Sequence, residues 1–192
     1  GPVTHLSTRT LQPRPTWGDF TTRGWGGGAF FDLGVHPLAL VLRAAGATPV
    51  GVRAFYDASS DVEVEDLATV EVRFDTGLVA TLDVSWRHDD PVWDLQAASA
   101  TGVVRLQLLP EVTVEVGGEP VPLPAPPDVE RPPQLDQFGY VEQLREAEVM
   151  WRTGRPAAIS DVHLGRQVLE VVCAAAVAAR DGGEVALPFD GP

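Results

Sequence analysis

Between Val50 and Val116 the chain repeatedly alternates apolar and polar residues over short segments broken by glycine-containing turns. That two-residue period belongs to strands with one buried face. The segments run Val50 to Asp57 (VGVRAFYD), Leu67 to Phe74, Leu78 to Arg87 (LVATLDVSWR), Trp93 to Ser99, Val103 to Leu109 and Val112 to Val116. Asp75-Thr76-Gly77, Thr101-Gly102 and Gly117-Gly118 supply turns. Parallel neighbours need long crossovers, so strands spaced this closely predict antiparallel pairing. A further alternating segment, Val3 to Thr10, opens the chain.

Helical spacing appears in three places. Phe31, Val35, Leu38, Leu42 and Ala45 predict a helix over Ala29 to Ala45, stopped by Gly46 and kinked early at Pro37. Beyond a proline-rich connector, Pro120 to Pro133, comes a helix over Leu135 to Thr153 with Phe138, Val141, Leu144 and Trp151 on one side. The last helix, Asp161 to Arg180, is expected to be capped by Ser160 and to bury Val162, Leu169, Val172, Cys173 and Ala176. Glu184 to Leu187 adds a short final strand. No repeat and no second hydrophobic core is visible. The expected fold is one α+β domain over residues 1–192, a largely antiparallel open sheet with helices packed on one face.

Composition narrows the function. With 192 residues, 44% apolar and 21% charged, the chain has material for a substantial core. All 14 basic residues are arginine and the formal net charge is −13. So acidic a surface argues against nucleic acid and anionic lipid as partners. Without lysine there is no P-loop lysine and no Schiff-base lysine. The single cysteine, Cys173, cannot form an internal disulfide and reads as a small core residue. No signal-like start is present, so a cytoplasmic location is expected. The chain opens on Gly1-Pro2, as a processed or excised piece would.

Gly26-Gly27-Gly28, followed by Asp32, Gly34 and His36, is the most informative stretch. Bare glycines before a helix let a ligand approach the main chain, and free amides in the first turn favour an anion. Asp32 and His36 lie four apart, hence on one helix face. A carboxylate there orients the imidazole, favours its protonated form and suits it to proton transfer. A surface ion pair is the competing reading. Arg9, Trp17, Arg23 and Trp25 are close in sequence to this stretch and have the chemistry to bind a polyol or sugar. The competing reading is loop packing for the tryptophans and solvation for the arginines. Trp86, Arg87 and His88 fall where a strand is expected to run out, a usual place for ligand contacts. No histidine or carboxylate cluster has metal-ligand spacing, so no metal is expected. His5 and His163 read as structural or solvent-facing, and Asp61 to Asp66 as a solvated loop.

These residues resemble the glucose–fructose oxidoreductase / inositol dehydrogenase (Gfo/Idh/MocA) family. The glycine triplet, Asp32-x-Gly34-x-His36, the multistrand sheet, the proline-rich connector and the final helix pair follow the order of its C-terminal domain, which has a dihydrodipicolinate-reductase-like fold. The resemblance implies an NAD- or NADP-dependent oxidoreductase acting on a sugar, polyol or related hydroxyl/carbonyl compound. His36 would be its proton-transfer residue, Asp32 the partner, and Gly27 and Gly28 the positions nearest the cofactor. It also implies an N-terminal Rossmann domain, absent from this chain, and a homo-oligomer built through the sheet face. Without that domain the chain is expected to be inactive. Two features depart from the family: the Glu-Lys-Pro motif cannot occur without lysine, and Ala39 stands where an acidic residue is common. The alternative is a non-catalytic module for ligand binding or self-association.

Overall fold

The structure is a computed structural model that describes residues 1–25, 27–123, 139–156, 161–189 and 191. The chain groups into two compact units, Gly1–Leu123 with Arg166–Pro192, and Pro124–Gly165. The larger unit holds the sheet.

Its strands are β1 (Val3–Pro13), β2 (Pro49–Asp57), β3 (Leu67–Phe74), β4 (Val79–Ser85), β5 (Arg87–Ser99), β6 (Gly102–Leu109), β7 (Thr113–Val116), β8 (Glu119–Pro120) and β9 (Val185–Ala186). They form a nine-stranded sheet in the order β8-β7-β6-β5-β1-β4-β3-β2-β9. All pairs are antiparallel except β1 with β4, which is parallel with Thr8 opposite Leu82. The expected alternation therefore holds, but its first segment is inserted in the middle of the sheet. It separates β4 from β5 although only Trp86 lies between them in the chain.

Burial follows the period of two. Leu6, Thr8 and Thr10 of β1, Val52 of β2, Ala68, Val70, Val72 and Phe74 of β3, Ala80, Leu82 and Val84 of β4, and Leu95 of β5 are buried. Their neighbours Ser7, Arg9, Asp83, Asp94, Gln96, Arg105 and Gln107 line the opposite, open face. One departure from the expected strands matters for the site. Extended backbone continues from Arg87 rather than beginning at Trp93. Leu11 pairs with Val92 and Pro13 with Arg87, so Gln12 alone is opposed by His88 to Pro91 and β5 bulges there.

Helix α1 (Val35–Ala45) packs on β1 and β4 and ends at Gly46, whose φ of 57° is left-handed. It is preceded by a wider π-type turn, Phe30–Gly34. Pro37 itself lies inside α1, and the change in winding falls before it, between Gly34 and Val35. In the smaller unit, α2 (Tyr140–Thr153) buries no side chain; Leu144 and Trp151, expected to face a core, are 69% and 91% exposed. Leu135, Phe138, Ser160 and most of the proline-rich connector lie outside the described residues. Helix α3 (Val162–Asp181) is capped by Asp161, which accepts the Leu164 amide through Oδ1 at 2.9 Å. Its buried side chains are Val168, Val171, Val172, Ala174, Ala175 and Ala178. Val162, Leu169, Cys173 and Ala176 are exposed, correcting the expectation that they pack inward. The helix is apolar around most of its circumference, so spacing alone did not single out the face lined by small alanines that the core uses.

Candidate active site

The start of the π-type turn is already occupied by this chain's own groups. Glu65 accepts the Ala29 N–H through its main-chain oxygen at 2.9 Å and the Phe30 N–H through Oε1 at 3.2 Å. Its carboxylate lies over Gly28, whose φ is 126° and where a Cβ would come within 2.2 Å of it. At Gly27 a Cβ would meet the Phe20 carbonyl oxygen at 2.2 Å. Gly27 and Gly28 are therefore bare so that Glu65 and Phe20 can close on them. The Ala29 and Phe30 amides are therefore not free for an outside anion, while Gly27 also lines an open cavity with Arg23, Tyr56, Asp57 and Glu65. Gly26 lies outside the described residues. Burial raises the Glu65 carboxyl above its ordinary range, while main-chain hydrogen bonds, including that from Phe30, pull it back.

Gly34 has an equally physical reason: a Cβ there would lie 2.4 Å from the Phe30 ring. With Phe30 buried beneath it, the turn carries Asp32 and His36 to one side of the helix. Trp86, itself buried, donates its indole N–H to Asp32 Oδ2 at 3.3 Å. His36 is exposed, yet one face of its ring lies near-parallel to Trp93, with centroids 5.6 Å apart and planes at 27°. Trp93 in turn donates its indole N–H to Gln12 Oε1 at 3.3 Å. Burial raises the Asp32 carboxyl, opposed by the Trp86 donor and by His36. For His36, desolvation lowers the imidazole and Asp32 raises it less. Asp32 favours protonated His36, as expected from the spacing, but desolvation outweighs that charge and the net shift is downward. A neutral imidazole at neutral pH is a proton acceptor.

The other candidates separate. Trp17 is 67% exposed and meets Phe20 edge to face at 4.7 Å. Arg23 donates its amide to Glu63 Oε2 and its Nε to the Glu63 carbonyl, at 3.1 and 3.3 Å; Trp25 ends the same short 3-10 turn. His88 is exposed on the β5 bulge. Arg87 is not a free ligand-binding cation, because its guanidinium is paired with Asp66 at 2.6 Å and Asp57 at 2.8 Å. Arg9 projects from the open face, on the side of the sheet opposite the α1 face, and pairs with Asp94. Its expected place at the site is corrected by strand parity, since its β1 neighbours Thr8 and Thr10 are the buried ones.

Three residues to which the sequence gave no part in the site belong to this region: Trp93, Glu65 and Asp66. Asp66, whose side chain is fully buried, accepts from Arg87, from the Ser59 amide and hydroxyl, and from Arg14 at 3.4 Å. Burial works to raise its carboxyl, but Arg87 and Ser59 prevail and hold it at about 2. The acidic run read as a solvated loop thus ends in a structural node. A fully charged pair followed by an alternating strand is a weak signal for this, and only the arrival of Arg14 and Arg87 makes it legible. Among the described residues no group of three or more histidine, cysteine or acidic side chains could hold a metal.

Fold and site together define an open-sheet α+β domain with an Asp–His pair on the helix covering its central strands. Residues 1–105 match the GFO/IDH/MocA C-terminal domain, and the chain belongs to that family, whose members are oxidoreductases. It is similar to the aldose-aldose oxidoreductase from Caulobacter crescentus, solved with glycerol, at 25% identity and a TM-score of 0.76 over 97% of this chain and 56% of that one. Two further structures show the likeness of fold. GenD2 from gentamicin A biosynthesis, in complex with NAD, has 23% identity and a TM-score of 0.80 over 98% of this chain and 56% of that one. The WlbA dehydrogenase from Bordetella pertussis, in complex with NADH and UDP-GlcNAcA, has 20% identity and a TM-score of 0.78 over 99% and 58%. The chain spans little more than half the length of these proteins. No curated protein matches it.

Proposed function

We propose that this chain is the substrate-side domain of an NAD- or NADP-dependent oxidoreductase acting on a sugar, polyol or related hydroxyl/carbonyl compound, and that His36 is its proton-transfer residue. The observation that carries this is the solvent-accessible His36 imidazole, seated against the Trp93 ring on the same helical stretch as Asp32, whose carboxylate favours its charged form. In the oxidising direction the substrate carbon loses a hydride and its hydroxyl loses a proton, leaving a carbonyl. His36 accepts that proton and Asp32 steadies the imidazolium formed. The nicotinamide would supply the hydride acceptor when bound, and Gly27, which lines an open cavity with Arg23 and Tyr56, is the glycine left accessible to it. Most of the cofactor's binding is assigned to a Rossmann domain outside this chain, without which the chain is expected to be inactive. Trp17, Arg23, Trp25 and His88 remain the proposed substrate contacts, and Trp86, which is buried, acts through Asp32. Self-association is assigned to the uncovered sheet face.

The test joins the chain to the sequence encoded upstream of it and measures polyol-dependent NAD(P)H formation. His36→Ala is expected to lower kcat by about 100-fold or more. Turnover at the parent level in that variant overturns the proton-transfer role of His36, and failure of the parent to form NAD(P)H with any polyol overturns the oxidoreductase reading. Light scattering of the same protein tests the oligomer, and a strict monomer removes the sheet-face assignment.

A further inference from the structure

Resting on that reading of His36, we propose that Glu65 is a positioning residue of the site, reaching across to lock the turn that presents Asp32 and His36. Two of its oxygens hold the start of that turn: the main-chain oxygen accepts the Ala29 N–H and Oε1 the Phe30 N–H. It comes from 35 residues away in the chain, so this is a tertiary clamp and not a local cap. Gly28 is shaped to admit it, since any side chain there would collide with the carboxylate.

The residue that follows completes the clamp from the other side. The Asp66 carbonyl accepts the Trp86 N–H at 2.9 Å, and the Trp86 indole holds Asp32. Asp66 cannot drift, because Arg87, Arg14 and Ser59 converge on its carboxylate. One dipeptide therefore fixes where the turn begins and where the partner of its carboxylate stands. Release of the Phe30 amide would free the first turn, and Asp32 and His36 ride on the turns that follow. Misplacement of a reacting group by about an ångström costs on the order of 100-fold in rate.

Two near-isosteric variants separate reach from charge. Glu65→Gln keeps an oxygen in reach of the Phe30 N–H and removes the charge; Glu65→Asp keeps the charge and withdraws it by one methylene. The chain itself is studied by NMR, following the His36 ring through a pH titration and the Trp86 indole N–H. In the protein joined to its upstream sequence, kcat and KM are measured. Glu65→Gln is expected to stay near the parent in all readouts. Glu65→Asp is expected to shift the His36 titration toward the ordinary imidazole value, move the Trp86 signal, and lower kcat on the order of 10- to 100-fold with KM little changed. Parent-like behaviour of both variants, or a better result for Asp than for Gln, overturns the proposal. Should His36→Ala leave turnover intact, the proton-transfer role of His36 fails, while the resonances of His36 and Trp86 still decide whether Glu65 positions the turn.

Discussion

The indole N–H of Trp86 donates to Asp32 Oδ2 at 3.3 Å, and this bond ties the strand side of the sheet to the helix that carries His36. Trp86 is the single residue between β4 and β5, at the point where the chain passes β1. A feature of topology thereby sets the position of a carboxylate in the site.

Trp86→Phe keeps the ring's bulk and removes the donor. Because that donor lowers the Asp32 carboxyl, its loss raises Asp32 further and weakens the support it gives to charged His36. A loss of about 1 kcal/mol in urea unfolding is expected, together with an upward shift of Asp32 in an NMR titration. An unmoved Asp32 would show that the bond is not formed in solution.

The pH dependence of turnover follows from His36. Its imidazole titrates below the ordinary 6.5, so the neutral, proton-accepting form persists at mildly acid pH. The acid limb of kcat/KM is expected below that value and is absent in His36→Ala. For stability the sign is the same. The unfolded chain binds a proton more readily, so stability is lost as pH falls from 6.5 through the lowered folded value.

Asp66 titrates in the opposite sense to a buried carboxyl left alone. Held at about 2 against an ordinary 3.8, it stabilises the folded chain above pH 3.8, and the gain disappears as pH falls through 2. The shift corresponds to about 2 kcal/mol. Asp66→Asn should cost about that much in urea unfolding at pH 7 and progressively less toward pH 2. A gap between parent and variant that is constant across this range would rule the linkage out.

Arg9→Ala should leave kcat and KM at parent values in the joined protein, because the side chain lies on the open face and pairs with Asp94. Its effect on stability should stay within about 1 kcal/mol, as for a solvent-exposed ion pair. A selective rise in KM would return Arg9 to the substrate site.

Much of the architecture could be read in advance because it is written in local periodicity. β3 and the Asp75-Thr76-Gly77 turn were given by alternation and turn chemistry, and α1 by its spacing and the left-handed Gly46. The inward set of α3 was not legible, since a helix lined with valine and alanine has no polar face sharp enough to mark the other. Asp32 and His36 were legible as a pair because their spacing is local. Their electrostatic outcome was not, because desolvation depends on Trp93 and the packing around the turn.

The sequence by itself determined the strands, their turns, the covering helix and the proximity of Asp32 to His36, all of which depend on residues within a few positions of one another. Only the tertiary structure decided that β1 enters between β4 and β5, that Arg9 faces away, and that Glu65 fills the space the glycines leave open. Those outcomes join residues tens of positions apart, and a register or a close approach of that kind exists only once the sheet has assembled.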